Sequence, residues 1–157
     1  MTRLSALTYL LLALTPVLTG CTDNASVAKA TGPALVVYKT PSCGCCGDWV
    51  DHMRQAGFDV SVHEQNDLSD VKARVGLPFG LGSCHTAEIG GYFLEGHVPA
   101  NDVIRLLAER PDARGLAVPG MPIGSPGMEM PDGRKDAYDV LLVQPDGDTQ
   151  VYASHGH

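Results

Sequence analysis

The sequence predicts one α/β domain behind an N-terminal export signal. Three observations carry this. A β-branched and aromatic run, "ALVVYK" at residues 34–39, passes through Pro and Gly directly into a segment with helical spacing. Strand-like and helix-like patterns then alternate to the C-terminus, where a hairpin closes the chain. The 157 residues, 44% of them hydrophobic, suffice for one ordinary core and not comfortably for two.

Taken in order, residues 34–39 read as a buried strand ended by "TPSCG". From Cys45 to Gln55, Trp49, Val50 and Met53 fall on one helical face, with Gly57 as the stop. "FDVSVHE" alternates as a strand, and "DLSDVKARVG" reads as a short helix with Asp67 and Ser69 as cap candidates. "TAEIGGYFLEG" gives two short strands about a Gly-Gly turn. "VPANDVIRLLAER", residues 98–110, is an amphipathic helix ended by Pro111. Residues 118–133, "VPGMPIGSPGMEMPDG", form a Pro/Gly loop carrying methionines, and residues 138–154 form a β-hairpin around Pro-Asp-Gly.

The N-terminal "MTRLSALTYLLLALTPVLTGC" has an Arg near its start, an apolar core from about Leu7 to Leu18 and then small residues, the order of a secretory signal. The apolar run is short for a bilayer span. "LTGC" at 18–21 resembles the lipobox of bacterial lipoproteins, which implies a signal peptide over residues 1–20 and lipidation of Cys21. The protein is then expected to be periplasmic and lipid-anchored to a bacterial membrane. An ordinary signal peptide cleaved elsewhere, leaving Cys21 free, is the alternative. Residues 21–33, small and polar with a closing Gly-Pro, read as a flexible tether to a domain over 34–157. The formal charge of −7, with no cluster of Lys and Arg, argues against nucleic acid and suits cations.

Beyond Cys21, four cysteines remain: Cys43, Cys45, Cys46 and Cys84. Exported proteins normally use such a set for structural disulfides. Here three of the four lie within residues 43–46, and a bridge inside that stretch closes almost no loop, so it would stabilise little. The cluster is better read as chemistry. The element order, with thiols between the first strand and first helix, resembles the thioredoxin-like fold, in which unpaired N–H groups at the helix start favour thiolate. Cys43 and Cys46 form a Cys-x-x-Cys suited to a thiol–disulfide oxidoreductase. The adjacent Cys45 invites scrambling in such an enzyme but adds a ligand to a metal centre. Cys84 and His85 supply a further sulfur and an imidazole, more donors than one tetrahedral zinc site needs. A structural zinc site and a multinuclear thiolate-bridged centre both stay open at this point.

"YKTPSCGCCGDWVDHM", "CHTAEIGGYFLEGHVPANDVIRLL" and "GLAVPGMPIGSPGME" together resemble the CopG-like copper-resistance family. The resemblance implies a thioredoxin-like copper protein whose ligands fall on Cys43, Cys45, Cys46, Cys84 and His85, with copper held as a Cu(I) cluster capable of redox change. Copper ions are the implied ligand, and copper-handling envelope proteins are candidate partners. All five donors are expected to face one shallow, partly open pocket with His85 at its edge, and without metal the thiols are expected to pair.

Other candidates receive a structural reading. Met121, Met128 and Met130 carry thioethers that suit Cu(I), but methionine in a folded-back loop more often fills gaps. His52 reads as solvated, His63 as exposed at a strand end and His97 as capping or positioning where a loop enters a helix. His155 and His157 read as a frayed terminus.

Overall fold

The computed structural model describes residues 33–157. The expected signal peptide, the expected lipidation site Cys21 and the expected tether up to residue 32 lie outside the described residues. The element order is β1 (Leu35–Lys39), α1 (Gly44–Gln55), β2 (Val60–Glu64), α2 (Ser69–Arg74), β3 (His85–Ile89), β4 (Tyr92–Glu95), α3 (Ala100–Glu109), β5 (Gly115–Ala117), β6 (Tyr138–Val143) and β7 (Thr149–His155). These strands form one seven-stranded mixed sheet in the order β2-β1-β3-β4-β5-β6-β7. β1 runs parallel to β2 and antiparallel to β3. β4 and β5 are also parallel, while β3–β4, β5–β6 and β6–β7 are antiparallel.

The α1 pattern follows directly from its sequence. Cys46, Trp49, Val50 and Met53, at i, i+3, i+4 and i+7, are its buried residues. Trp49 and Met53 join Leu35, Val37, Ile89, Leu94, Val103, Leu106 and Leu116 in the main core. Burying each such side chain contributes about 1.5–3 kcal/mol. The Trp49 indole N–H also donates to the Val98 carbonyl at 2.9 Å, which ties α1 to the segment entering α3.

The β3–β4 hairpin turns at Gly90 and Gly91, whose φ values of 56° and 92° are both positive. A two-residue turn with both central residues left-handed matches the twist of the strands it joins, and glycine adopts it without steric penalty. The turn sets the register: Ile89 pairs with Tyr92 and Thr86 with Glu95. At the other end of the chain, β6 and β7 form the expected hairpin around the Pro-Asp-Gly turn.

Two expectations change. β5 is a strand of three residues that extends the sheet between β4 and β6, a position its own sequence does not announce. In α2 the N-cap position is Leu68, and Asp67 instead accepts the Ser69 N–H at 2.8 Å in a local turn before the helix. Among the described residues no helix is long and apolar enough to cross a membrane.

Candidate metal centre

β1 ends at Lys39, and the chain turns through a Cys43 N–H bond to the Thr40 carbonyl at 3.1 Å before α1 begins. Cys43 is the N-cap of α1, with no side-chain hydrogen bond to the helix, and Cys45 and Cys46 lie in its first turn. No acidic side chain occupies that turn, so the helix's positive end is left to the sulfurs. Cys43 and Cys46 are joined in a disulfide, while Cys45 and Cys84 are free thiols. Cys45 Sγ lies 3.6 Å from Cys43 Sγ, and Cys46 Sγ lies 3.8 Å from the Cys84 carbonyl. The sulfurs of Cys43, Cys45, Cys46 and Cys84 all fall within 4.8 Å of one another, although Cys84 comes from a distant segment.

Cys84 belongs to a second donor group as well. Its Sγ is 3.4 Å from His85 Nδ1 and 3.1 Å from His97 Nε2. Cys84, His85 and His97 each offer a ligand atom within 4.8 Å of the others. The hairpin explains this convergence: the register that pairs Thr86 with Glu95 sets Cys84 across from His97 when carried two residues beyond that pair. Both rings are fully buried and meet edge to face with centroids 5.0 Å apart, and Trp49 lies 4.4 Å from His85.

The electrostatics favour neutral donors. Burial, reinforced by His97 and Lys72, pushes the His85 pKa down to about 3, so the ring is uncharged at neutral pH. Burial also lowers the His97 pKa, against smaller upward effects of the Pro126 carbonyl and Glu129. Burial and the neighbouring Cys45 raise the Cys84 pKa to about 11, so a metal must displace a proton there.

The expected single open pocket is therefore corrected. His85 is not at a solvent edge but 0% exposed, and it groups with Cys84 and His97 rather than with Cys43, Cys45 and Cys46. Two donor groups overlap at Cys84. His97, read from sequence as a capping or positioning residue, sits against the Cys84 sulfur. The capping histidine is His52: its Nε2 accepts the Ala100 N–H at the start of α3 at 3.1 Å, so His52 is half-buried rather than solvated, and burial lowers its pKa. The hairpin register about Gly90-Gly91 was the signal that could have assigned His97.

Two further features hold the centre. Glu95, fully buried at the end of β4, accepts the Ser83 N–H at 2.6 Å, the Thr86 hydroxyl at 2.7 Å and the Lys72 ammonium. It thereby brackets Cys84 and His85 from both sides in sequence. The loop between β5 and β6 packs over the start of α1 at Gly127, where a Cβ would stand 2.6 Å from the Cys45 carbonyl and 2.7 Å from the Trp49 nitrogen. In the same loop the Pro126 carbonyl lies 2.8 Å from His97 Nδ1.

The remaining candidates sit elsewhere. His63 is exposed and stacks on Tyr38 with centroids 5.4 Å apart. His155 is not frayed: it ends β7 and its Nε2 lies 2.7 Å from Asp102. His157 is exposed. Met128 and Met130 are half-buried, but Met121 is 51% exposed and fills no gap.

Four sulfurs and two imidazoles converging at one end of a mixed α/β sheet define a candidate thiol-rich metal-binding protein. A family profile described as "Protein of unknown function, DUF411" matches residues 81–128. Two solved structures, titled copper resistance protein CopG in forms 1 and 2, are each 49% identical to this chain with a TM-score of 0.75. Form 1 aligns over 80% of this chain and 99% of its own, and form 2 over 79% and 98%. The chain belongs to the CopG copper-resistance protein family. No curated protein sequence matches it.

Proposed function

We propose that this protein holds copper in the cell envelope as a thiolate-bound, multinuclear Cu(I) centre able to change oxidation state. The observation that carries this reading is the gathering of four sulfurs within 4.8 Å, three of them at a helix N-terminus. Soft, closely spaced thiolates select Cu(I), and sulfurs this close can each bridge more than one ion. Cys43, Cys45, Cys46 and Cys84 are the thiolate ligands and His85 an imidazole ligand. The copper-resistance titles of the two related structures support copper as the cargo.

The β2-β1-β3-β4 half of the sheet, with α1 following β1, supports a thioredoxin-like core to which β5, β6 and β7 are appended. The lipobox-like "LTGC" supports a lipid anchor at Cys21 and a periplasmic location. Loading requires that the Cys43–Cys46 disulfide first be opened. Two electrons and two protons from a thiol or dithiol reductant convert it to two thiols, and copper binding then releases protons.

The disulfide itself favours a second reading, a thiol–disulfide oxidoreductase using Cys43 and Cys46. The deciding experiment is metal analysis of fully reduced protein loaded anaerobically with Cu(I). More than one copper per chain is expected, with fewer copper ions and a shifted reduction potential in a Cys84→Ser/His85→Ala double variant. A single metal per chain, or no dependence on the second motif, removes the cluster reading.

A further inference from the structure

The oxidised state leaves a second set of donors intact. With Cys43 and Cys46 joined to each other, two of the four sulfurs are spent, yet nothing in that bridge involves Cys84, His85 or His97. Those three offer one thiol and two imidazoles within 4.8 Å, all carried on the rigid β3–β4 hairpin or the residues directly flanking it.

His97 is prepared as a ligand. A metal-bound imidazole ordinarily donates its other ring N–H to a fixed acceptor, which selects the tautomer and aims the free lone pair. His97 has this arrangement: Nδ1 lies 2.8 Å from the Pro126 carbonyl, an acceptor only, so Nδ1 carries the proton and Nε2 presents its lone pair toward Cys84 Sγ at 3.1 Å. Gly127 makes this approach feasible, since a Cβ next to Pro126 would collide with the Cys45 carbonyl and the Trp49 nitrogen of α1. His85 Nε2 is a fully buried ring nitrogen without a hydrogen-bond partner among the described residues. Its Nδ1 is the nitrogen that faces the shared sulfur, 3.4 Å from Cys84 Sγ.

We propose that Cys84, His85 and His97 form a mixed thiolate–imidazole site that binds one divalent, borderline-soft transition-metal cation, Zn(II) or Cu(II) in class, while the Cys43–Cys46 disulfide is closed. One sulfur with two imidazoles is a donor set shared by zinc sites and by cupric centres, unlike the sulfur-dominated set that suits Cu(I). Because Cys84 and His85 are shared with the copper centre proposed above, the oxidation state of Cys43 and Cys46 selects which ion class the protein holds. The inference rests on the reading of Cys84 and His85 as metal ligands, but not on a multinuclear cluster, since it uses neither Cys43 nor Cys46.

The test uses Zn(II) alone, which cannot oxidise the free thiols. Protein whose Cys43–Cys46 bridge is verified by mass is titrated with Zn(II), and zinc X-ray absorption reads the ligand shell. One zinc per chain with a mixed sulfur and imidazole shell is expected. His97→Ala should weaken binding by more than the roughly 10–100-fold that loss of an outer partner costs. No zinc bound, a sulfur-only shell, or an unchanged affinity in a folded His97→Ala protein overturns the proposal. If that variant fails to fold, the wild-type shell decides on its own. Cu(I) loading of the reduced protein is scored separately, so failure of the cluster and failure of this site give different results.

Discussion

The buried carboxylate of Glu95 accepts the backbone N–H of Ser83 at 2.6 Å, which fixes from the neighbouring strand the residue that precedes Cys84. The same carboxylate holds Thr86, the residue after His85, and the Lys72 ammonium from α2. The metal centre thus rests on a polar cluster whose charge is matched by a single lysine.

Glu95→Ala removes one partner of that buried ion pair, leaves the Ser83 N–H and the Thr86 hydroxyl without their acceptor, and leaves the Lys72 ammonium only the Thr86 oxygen. Breaking such a pair costs about 3–5 kcal/mol. Urea unfolding should show the midpoint falling accordingly, and reduced protein should lose copper more readily to a competing chelator. A stability within about 1 kcal/mol of wild type would contradict the role given to Glu95.

Cys45 separates the two readings of the thiol loop. Its sulfur lies 3.6 Å from Cys43 but takes no part in the disulfide. Cys45→Ser should reduce the Cu(I) bound per chain while leaving Cys43 and Cys46 free to exchange. Full copper binding together with strong insulin-reducing activity in this variant would favour the oxidoreductase.

Gly127→Ala tests the packing of the β5–β6 loop on α1. At φ +84° the backbone is already strained for an L residue, and the new methyl would overlap the Cys45 carbonyl and Trp49 nitrogen. Forcing an extra carbon into such a contact costs about 1–3 kcal/mol. Gly133→Ala is the control, having a similar φ of +75° and nothing within 4 Å of the added methyl. The difference between the two unfolding midpoints measures the collision apart from the backbone strain, and equal losses would show that the loop does not press on α1.

Metal-free stability should fall on the acid side. Burial holds His85 near a pKa of about 3 in the folded chain, against an ordinary value of 6.5. The unfolded chain therefore binds more protons between those limits. The stabilisation from neutral His85 is complete above about pH 6.5 and is lost as pH falls toward 3, to a limit of about 5 kcal/mol. His52 and His97, both lowered by burial, act in the same direction. Glu95, raised by burial, acts in the opposite one, since its contribution is present below its unfolded value and lost as pH rises. Urea midpoints measured from pH 7 down to 5 should decline, and His85→Asn should flatten the slope. A flat wild-type profile over that range would show that His85 titrates normally.

The β1–α1 unit was legible in the residues themselves, because "ALVVYK" and the Trp49, Val50, Met53 spacing are local patterns with one physical reading each. The β3–β4 and β6–β7 hairpins were equally legible from their turns. β5 was not, since Gly115, Leu116 and Ala117 are too few to show a period and become a strand only by pairing with both neighbours. Sulfur enrichment pointed to the cysteines, whereas His97 looked like an ordinary residue at a loop-to-helix junction. Its proximity to Cys84 arises from hairpin register, and that of Pro126 from a loop returning across the sheet. The partner of His155, Asp102, lies 53 residues away and is equally invisible to local reading.

The direction of β1 bears on how the protein meets its surroundings. Pro33 and Ala34 lead into the strand at one end, and Cys43 follows from the other, so five residues of strand, about 16 Å, separate the point where the chain enters the domain from the thiols. A partner or surface that holds the chain at Pro33 would therefore leave the thiol end of the strand uncovered.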